Sequence, residues 1–173
     1  MTLAAFAEIL GADRVSTDPG LCALRSEDIA GPGPAPVQAV LRPASATDLA
    51  RAVEAARTNG FAVMPRGGGM SYTGGYLPPP RPAVSLDLSD LNRVLEIDTN
   101  ARVVVVEAGC TWGHLYDTLN AAGYRTPFFG PLSGAVATIG GALSQNGAFF
   151  GSAAFGYAVQ SVSGLEIVDG RGT

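Results

Sequence analysis

Histidine and cysteine are scarce in this 173-residue chain, and that scarcity removes whole classes of chemistry. There is one histidine, His114, and there are two cysteines, Cys22 and Cys110, far apart in sequence. A zinc site needs Cys and His clustered at short spacings, and no such cluster is present. Two cysteines at this separation do not by themselves argue a disulfide. Charge is also sparse, at 15% of residues, with a net charge of −4 and a pI of about 4.8. No basic stripe is available to neutralise nucleic-acid phosphates. No apolar run approaches the ~20 residues of a membrane-spanning helix. The opening residues, Met1 to Phe6, lack the basic flank and long apolar stretch of a secretory signal. A cytoplasmic setting is therefore the default expectation, with no nucleic-acid partner and no transmembrane segment.

What the chain has in excess is glycine. There are 23 glycines, about twice the usual frequency of ~7%. The apolar fraction of 47% is enough to build a core, so this is not a disordered composition. Glycine in a globular chain points to tight turns or to backbone brought close to a ligand.

The apolar pattern organises the rest. Leu3, Phe6, Ala7 and Leu10 fall at helical spacing, with Gly11 to close the helix. Residues 12–36 read as irregular, ending in the linker Gly31-Pro32-Gly33-Pro34-Ala35-Pro36. Val37 to Leu41 is a strand, and Ser45 or Thr47 caps a helix carrying Leu49, Ala52, Val53 and Ala56 up to Asn59-Gly60. Phe61 to Met64 is the next strand, so residues 37–64 form a strand–helix–strand unit with parallel strands. Val84 to Leu88 alternates like a strand. Val94 to Asp98 and Arg102 to Glu107 form two strands about a turn at Thr99-Asn100, and the run Val103 to Val106 predicts burial on both faces. Thr111 caps a helix with Trp112, Leu115, Tyr116 and Leu119 on its apolar stripe, closed by Gly123. Thr138 caps a short helix through Ser144, and Val162 to Val168 reads as a last strand leading into Asp169-Gly170. An apolar strand with no return strand is an exposed edge, so the expectation is a fold that continues past Thr173.

Two glycine-rich loops stand out. The first, Pro65-Arg66-Gly67-Gly68-Gly69-Met70-Ser71-Tyr72-Thr73-Gly74-Gly75, follows a strand directly. Consecutive glycines let backbone N–H groups converge into an anion nest, and Arg66, Ser71 and Thr73 can add donors. It matches neither the spaced-glycine dinucleotide fingerprint nor a phosphate loop with its lysine. The second runs from Gly130 through Pro131, Ser133, Thr138, Gly140 and Gly141 to Asn146-Gly147 and Phe155-Gly156. Gly140 and Gly141 fall in the first turn of the helix capped by Thr138, where N–H groups lack intrahelical acceptors and can face an anion. Close helix–sheet packing is the competing reason for a glycine there.

The runs PRGGGMSYTGG, VVVVEAGCTWGHLYDTLNAAG and TIGGALSQNGAFFGSAAFGYAVQSVSGLEIVDGRG together resemble the FAD-binding domain of the vanillyl-alcohol oxidase, or PCMH-type FAD-linked oxidase, family. The branch they look most like is that of D-lactate dehydrogenase and the glycolate oxidase FAD subunit. The resemblance covers residues 37–173. It implies an α+β, two-lobed FAD-binding domain, with a small parallel strand–helix–strand lobe and a mixed-sheet lobe, truncated at the C-terminus. In those terms residues 1–36 are an N-terminal helix and linker, 37–110 the first lobe, and 111–173 an incomplete second lobe, with the substrate cap domain absent.

By position, the resemblance assigns FAD contacts to Pro65, Arg66, Gly67, Gly68, Gly69, Met70 and Ser71, then Gly74 and Gly75. It adds Pro131, Ser133, Thr138, Gly140, Gly141 and Asn146, and then Gly151, Gly156, Val159 and Ile167. Family members that attach FAD covalently do so through a His after the triple glycine or a Cys before the Thr-hydrophobe-Gly element. Those positions are Met70 and Val136 here, so FAD is expected to be non-covalent. The implied reaction is hydride transfer to FAD from a hydroxyl-bearing substrate. That substrate would be a 2-hydroxy acid such as D-lactate or glycolate, or else an alcohol or sugar, met through the missing cap domain; the electron acceptor is left open. The alternative is a non-catalytic FAD-binding module, or a truncated product, that works only with a separate polypeptide. No catalytic residue is assigned. His114 lies off the apolar stripe and is expected to face solvent, Cys110 reads as structural, and Asp87, Asp90, Glu96 and Asp98 are too dispersed for an acid–base pair.

Overall fold

The computed structural model describes residues 2–128 and 130–173. It is a mixed α+β chain whose contacts divide it into two compact units that interleave in sequence. One unit holds the residues up to Arg66 together with Ser71–Asp90 and Ile167–Thr173; the other holds Gly67–Met70 and Leu91–Glu166.

The first unit begins with α1, Ala4–Leu10, which ends where Gly11 takes φ 94° and donates its N–H to the Ala7 carbonyl at 2.9 Å. Residues 12–36 are not the irregular linker the composition suggests. They carry a 3-10 turn at Ala12–Arg14, strand β1 (Val15–Ser16), helix α2 (Pro19–Leu24) and a small hairpin of β2 (Glu27–Asp28) and β3 (Gly31–Pro32). The Asp18 carboxylate accepts the Leu21 N–H at 2.7 Å and Pro19 sits at the first helical position, which are local start signals for α2. Then follow β4 (Ala39–Leu41), α3 (Ala46–Thr58), β5 (Ala62–Arg66) and β6 (Ala83–Asp87). Ser45, rather than Thr47, caps α3 by accepting the Asp48 N–H at 3.1 Å.

The sheet order is β1-β4-β6-β5. The strands of the 37–64 unit are indeed co-directional, but they do not touch as neighbours: β6 inserts between β4 and β5 and pairs parallel with both. The strand expected at Val84 to Leu88 is therefore central, and all five residues of β6, Ala83–Asp87, are buried. Val84 and Leu86 pack with Ala39 and Leu41 under Phe6 and Leu10 of α1 and Ala52, Val53 and Ala56 of α3. Ala83 joins Val40, Ala62 and Cys22 on the opposite face, beneath α2. Phe6 and Phe61 meet edge to face at 5.7 Å; burying each ring contributes roughly 1.5–3 kcal/mol.

The second unit contains the antiparallel ribbon of β7 (Val94–Asp98) and β8 (Val103–Val106), then α4 (Trp112–Ala121), α5 (Ile139–Ser144) and the single turn α6 (Ser152–Phe155). The valine run is not buried on both faces. Val104 and Val106 pack against Leu115 and Leu119 of α4, whereas Val103 and Val105 are exposed, because only one face of a two-stranded ribbon is covered. Thr111 caps α4 as expected, accepting the His114 N–H at 3.1 Å. Trp112, Leu115 and Leu119 are buried, but Tyr116 is 43% exposed and does not belong to the stripe.

Val162 to Val168 forms no strand. Leu165 and Ile167 are 69% and 73% exposed, and among the described residues no strand offers that backbone a ladder. The Asp169-Gly170 turn does form: Asp169 N–H donates to the Thr173 carbonyl and Gly172 N–H to the Asp169 carbonyl, both at 2.9 Å. Backbone N–H groups of Arg171 and Thr173 hold the Asp169 carboxyl below its usual pKa.

The β7–β8 turn places Arg102 at φ 56°, a left-handed conformation that L side chains resist. Arg102→Gly relieves that cost and should raise stability by about 0.5–1 kcal/mol, the larger unfolded-state entropy of glycine offsetting part of the gain. Urea unfolding checks this. A midpoint equal to or below that of the parent contradicts it.

Candidate glycine-loop site

The chain leaves β5 at Arg66 and enters the triple glycine. Within the second unit, a Cβ on Gly67 would collide with the Thr138 hydroxyl, and one on Gly68 would fall on the Val136 carbonyl. The two glycine-rich segments that are about 70 positions apart in sequence therefore touch, Gly67 against the Thr138 side chain and Gly68 against the Val136 backbone. Gly69 takes φ 67°, which turns the chain back. The N–H groups of Gly67, Gly68 and Met70 donate to no acceptor among the described residues. Unpaired backbone donors gathered on a glycine turn are what an anion nest requires.

The second segment is held in register by α4. Trp112 N–H donates to the Ala137 carbonyl at 3.1 Å, Gly113 N–H to the Gly134 carbonyl at 2.9 Å, and Ile139 N–H to the Cys110 carbonyl at 2.8 Å. Pro131 and Ser133 supply the carbonyls that turn this segment, accepting from Gly134, Val136 and Ala137. Thr138 is buried and caps α5, accepting the Gly141 N–H at 3.3 Å. Here one expectation fails. Gly140 N–H is not free for an anion, since it donates to the Ala108 carbonyl at 2.9 Å, and Gly141 N–H is taken by the cap. Gly140 is glycine for packing: a Cβ there would sit 2.8 Å from both the Ala108 carbonyl oxygen and its Cβ.

Asn146 has φ 47° and ends α5, its N–H donating to the Leu143 carbonyl while Gly147 N–H reaches the Ala142 carbonyl. This is the paired-bond helix terminus that favours Gly or Asn. Gly151 and Gly156 flank α6 at φ 107° and 79°. Val159 is 43% exposed in the 3-10 turn Ala158–Ser161, and Ile167 belongs to the first unit. Trp112, Phe128 and Phe149 form an aromatic cluster with centroid spacings of 5.1–5.8 Å, which makes Trp112 a core residue.

The first unit holds the flanks of the triple glycine. Pro65 is exposed on β5. Arg66 is 9% exposed, and its Nη1 donates to the Glu27 carbonyl at 3.0 Å and the Arg25 carbonyl at 3.3 Å. Its guanidinium lies 4.4 Å from the centre of the Tyr76 ring. That Nη1 is spent on the end of α2 and the start of β2, where the sequence suggested a phosphate donor. Burial lowers the Arg66 pKa, opposed chiefly by the charge of Tyr76. Ser71 Oγ and Thr73 Oγ1 hydrogen-bond to each other at 2.9 Å, Gly74 N–H donates to Asp28 Oδ2 at 2.9 Å, and Gly75 follows, exposed. Sequence reasoning passed over Asp28, Tyr76 and Ala108, none of which has a local signal of its partner.

His114 is exposed on α4. Cys22 and Cys110 are buried free thiols, each with a pKa raised mainly by burial. Among the described residues no His, Cys, Asp and Glu cluster could hold a metal ion, and no helix is long and apolar enough to cross a membrane.

A family described as FAD binding domain matches residues 36–173. An uncharacterized FAD-linked oxidoreductase of Mycobacterium tuberculosis is 30% identical over 168 residues, covering 95% of this chain and 36% of that protein. A probable mitochondrial D-2-hydroxyglutarate dehydrogenase of Oryza sativa subsp. indica is 27% identical over 168 residues, covering 97% of this chain and 30% of that protein. A solved structure of alkyldihydroxyacetonephosphate synthase superposes with a TM-score of 0.84 at 20% identity, over 94% of this chain and 32% of that one. The chain thus spans about a third of the length of each of these three proteins.

Proposed function

Because this chain belongs to the FAD binding domain family of FAD-linked oxidoreductases, we propose that it holds FAD non-covalently, with the pyrophosphate on Gly67 to Met70. The observation that carries this reading is the set of unpaired N–H groups at Gly67, Gly68 and Met70, on a turn seated against Val136 and Thr138. Backbone donors of this kind favour a phosphate without a charged side chain. Thr138 stands against that turn, Pro131 and Ser133 bend the segment that carries Val136, and Gly151, Gly156 and Val159 belong to the same unit. FAD, when bound, supplies the hydride-accepting redox chemistry.

We take the substrate to be a hydroxyl-bearing small molecule, with a 2-hydroxy acid first. The likeness to a probable D-2-hydroxyglutarate dehydrogenase supports that order but does not single out D-lactate or glycolate. The second reading is a FAD-binding module that acts with further polypeptide, because the family matched is that of the FAD-binding domain alone. A reducing, cytoplasmic setting suits its two buried, unpaired thiols.

The flavin should be dissociable. Position 70 is a methionine 39% exposed and position 136 a valine 49% exposed, and neither side chain can form a bond to the flavin ring. Loading the protein with FAD and precipitating it with acid should leave the yellow colour in the supernatant. Colour kept in the washed pellet overturns the non-covalent reading.

A further inference from the structure

We propose that Arg66, Tyr76 and Asp28 form a brace that presets the triple-glycine turn from its two flanks. They are then positioning residues for cofactor binding. The proposal rests on the reading that Gly67 to Met70 receive the pyrophosphate.

All the contacts lie in the first unit. Arg66 is the last residue of β5, immediately before Gly67. Its Nη1 bonds to the carbonyls of Arg25, which ends α2, and Glu27, in β2, tie that incoming end to the α2–β2 corner and the hairpin that follows. Tyr76 lies on the outgoing side. Its ring receives the Arg66 cation at 4.4 Å, and its hydroxyl donates to the carbonyl of Ser71, the first residue after the turn, at 3.0 Å. Asp28 closes the circuit: Oδ1 accepts the Ala30 N–H inside the hairpin at 2.7 Å, and Oδ2 accepts the Gly74 N–H at 2.9 Å. The hairpin is itself anchored, since Ser26 Oγ donates to the Cys22 carbonyl at 2.6 Å and accepts the Val37 N–H at 2.7 Å.

All three side chains are at most 9% exposed. A buried guanidinium or carboxylate is tolerated only when it is paired or hydrogen-bonded, so these bonds are not incidental surface contacts. Glycine is the residue that loses most freedom on ordering, and three in a row would otherwise sample many conformations in the free protein. Fixing both flanks removes that cost before the ligand arrives, which is how preorganisation raises affinity.

The test combines amide exchange, which needs no ligand, with FAD titration of the same proteins. In the free chain, Tyr76→Leu and Arg66→Met should each speed exchange of the Gly74 and Leu77 amides about tenfold or more by releasing local structure. Both should also weaken FAD binding about tenfold to thirtyfold through lost preorganisation. Tyr76→Phe keeps the ring and should restore most of the affinity, and Arg66→Lys should restore part of it. If the Leu and Met variants fail to fold, Tyr76→Phe and Asp28→Asn carry the test, each expected to cost about threefold. Unchanged exchange in folded variants overturns the brace. Faster exchange with FAD affinity within twofold of the parent overturns its role in cofactor binding. If the parent itself does not bind FAD, the cradle reading fails, and exchange alone then decides whether the brace exists.

Discussion

Gly68→Val should abolish measurable FAD binding and weaken the fold of the second unit. A Cβ at this position falls on the Val136 carbonyl, and backbone cannot yield as a flexible side chain can. Overpacking of this kind costs typically 1–3 kcal/mol, and the upper end or more is expected where the obstacle is a carbonyl. The same displacement moves the Gly67, Gly68 and Met70 N–H groups off the phosphate, and a loss of about a hundredfold in affinity corresponds to ~2.7 kcal/mol. Gly140→Val makes an informative companion. Its obstacle is Ala108, at 2.8 Å, and its N–H is already bonded there, so stability should fall more than affinity per folded molecule. Gly164→Ala is the control, since nothing lies within 4 Å of its added Cβ and its φ is not left-handed. Urea unfolding and fluorescence titration with FAD give both quantities. A folded Gly68→Val protein that binds FAD within threefold of the parent sinks the cradle.

Substrate turnover is expected only from a longer chain that contains these residues. The groups that could take a hydroxyl proton are committed elsewhere. Asp87 is 4% exposed and pairs with Arg25 through two hydrogen bonds of 2.9 and 3.2 Å. Asp90 pairs with Arg14, and Glu107 with Arg93, whose hydrogen bond is the main cause of a lowered Glu107 pKa. Asp98 Oδ1 accepts the N–H groups of Asn100 and Ala101 and closes its own turn. His114 is exposed on α4. None of these orients a substrate, and holding reactants in near-attack geometry is worth about 7–11 kcal/mol of a barrier. The 173-residue chain loaded with FAD should therefore show dye reduction with D-lactate, glycolate or simple alcohols no faster than free FAD. A protein extended by about 250 residues, an ordinary domain length, should exceed it by a thousandfold or more. Saturable reduction by the shorter chain alone would return the catalytic base to the residues described here.

Where an element is fixed by its own residues, the sequence determined it. Gly11 ends α1, Ser45, one of two candidates, opens α3, Thr111 opens α4 and Thr138 opens α5, because each of these bonds joins a residue to a backbone group only three or four positions away. The family resemblance and the two glycine segments were legible for the same reason: both lie in contiguous runs of residues. Burial was legible only in part. Val84 to Leu88 read as an alternating strand and Val103 to Val106 as one buried on both faces, yet the valine run lies on an open ribbon and Ala83–Asp87 at the centre of a sheet. What lies above and below a strand is set by distant residues, and hydrophobic periodicity does not contain it. The tertiary structure decided the identity of the partners. It seated Gly67 and Gly68 on Thr138 and Val136, gave the Gly140 amide to Ala108, and turned Arg66 toward a hairpin some 40 positions earlier. A glycine in sequence signals that something comes close to the backbone; only the folded chain shows whether that neighbour is another stretch of backbone or leaves N–H groups open to a ligand.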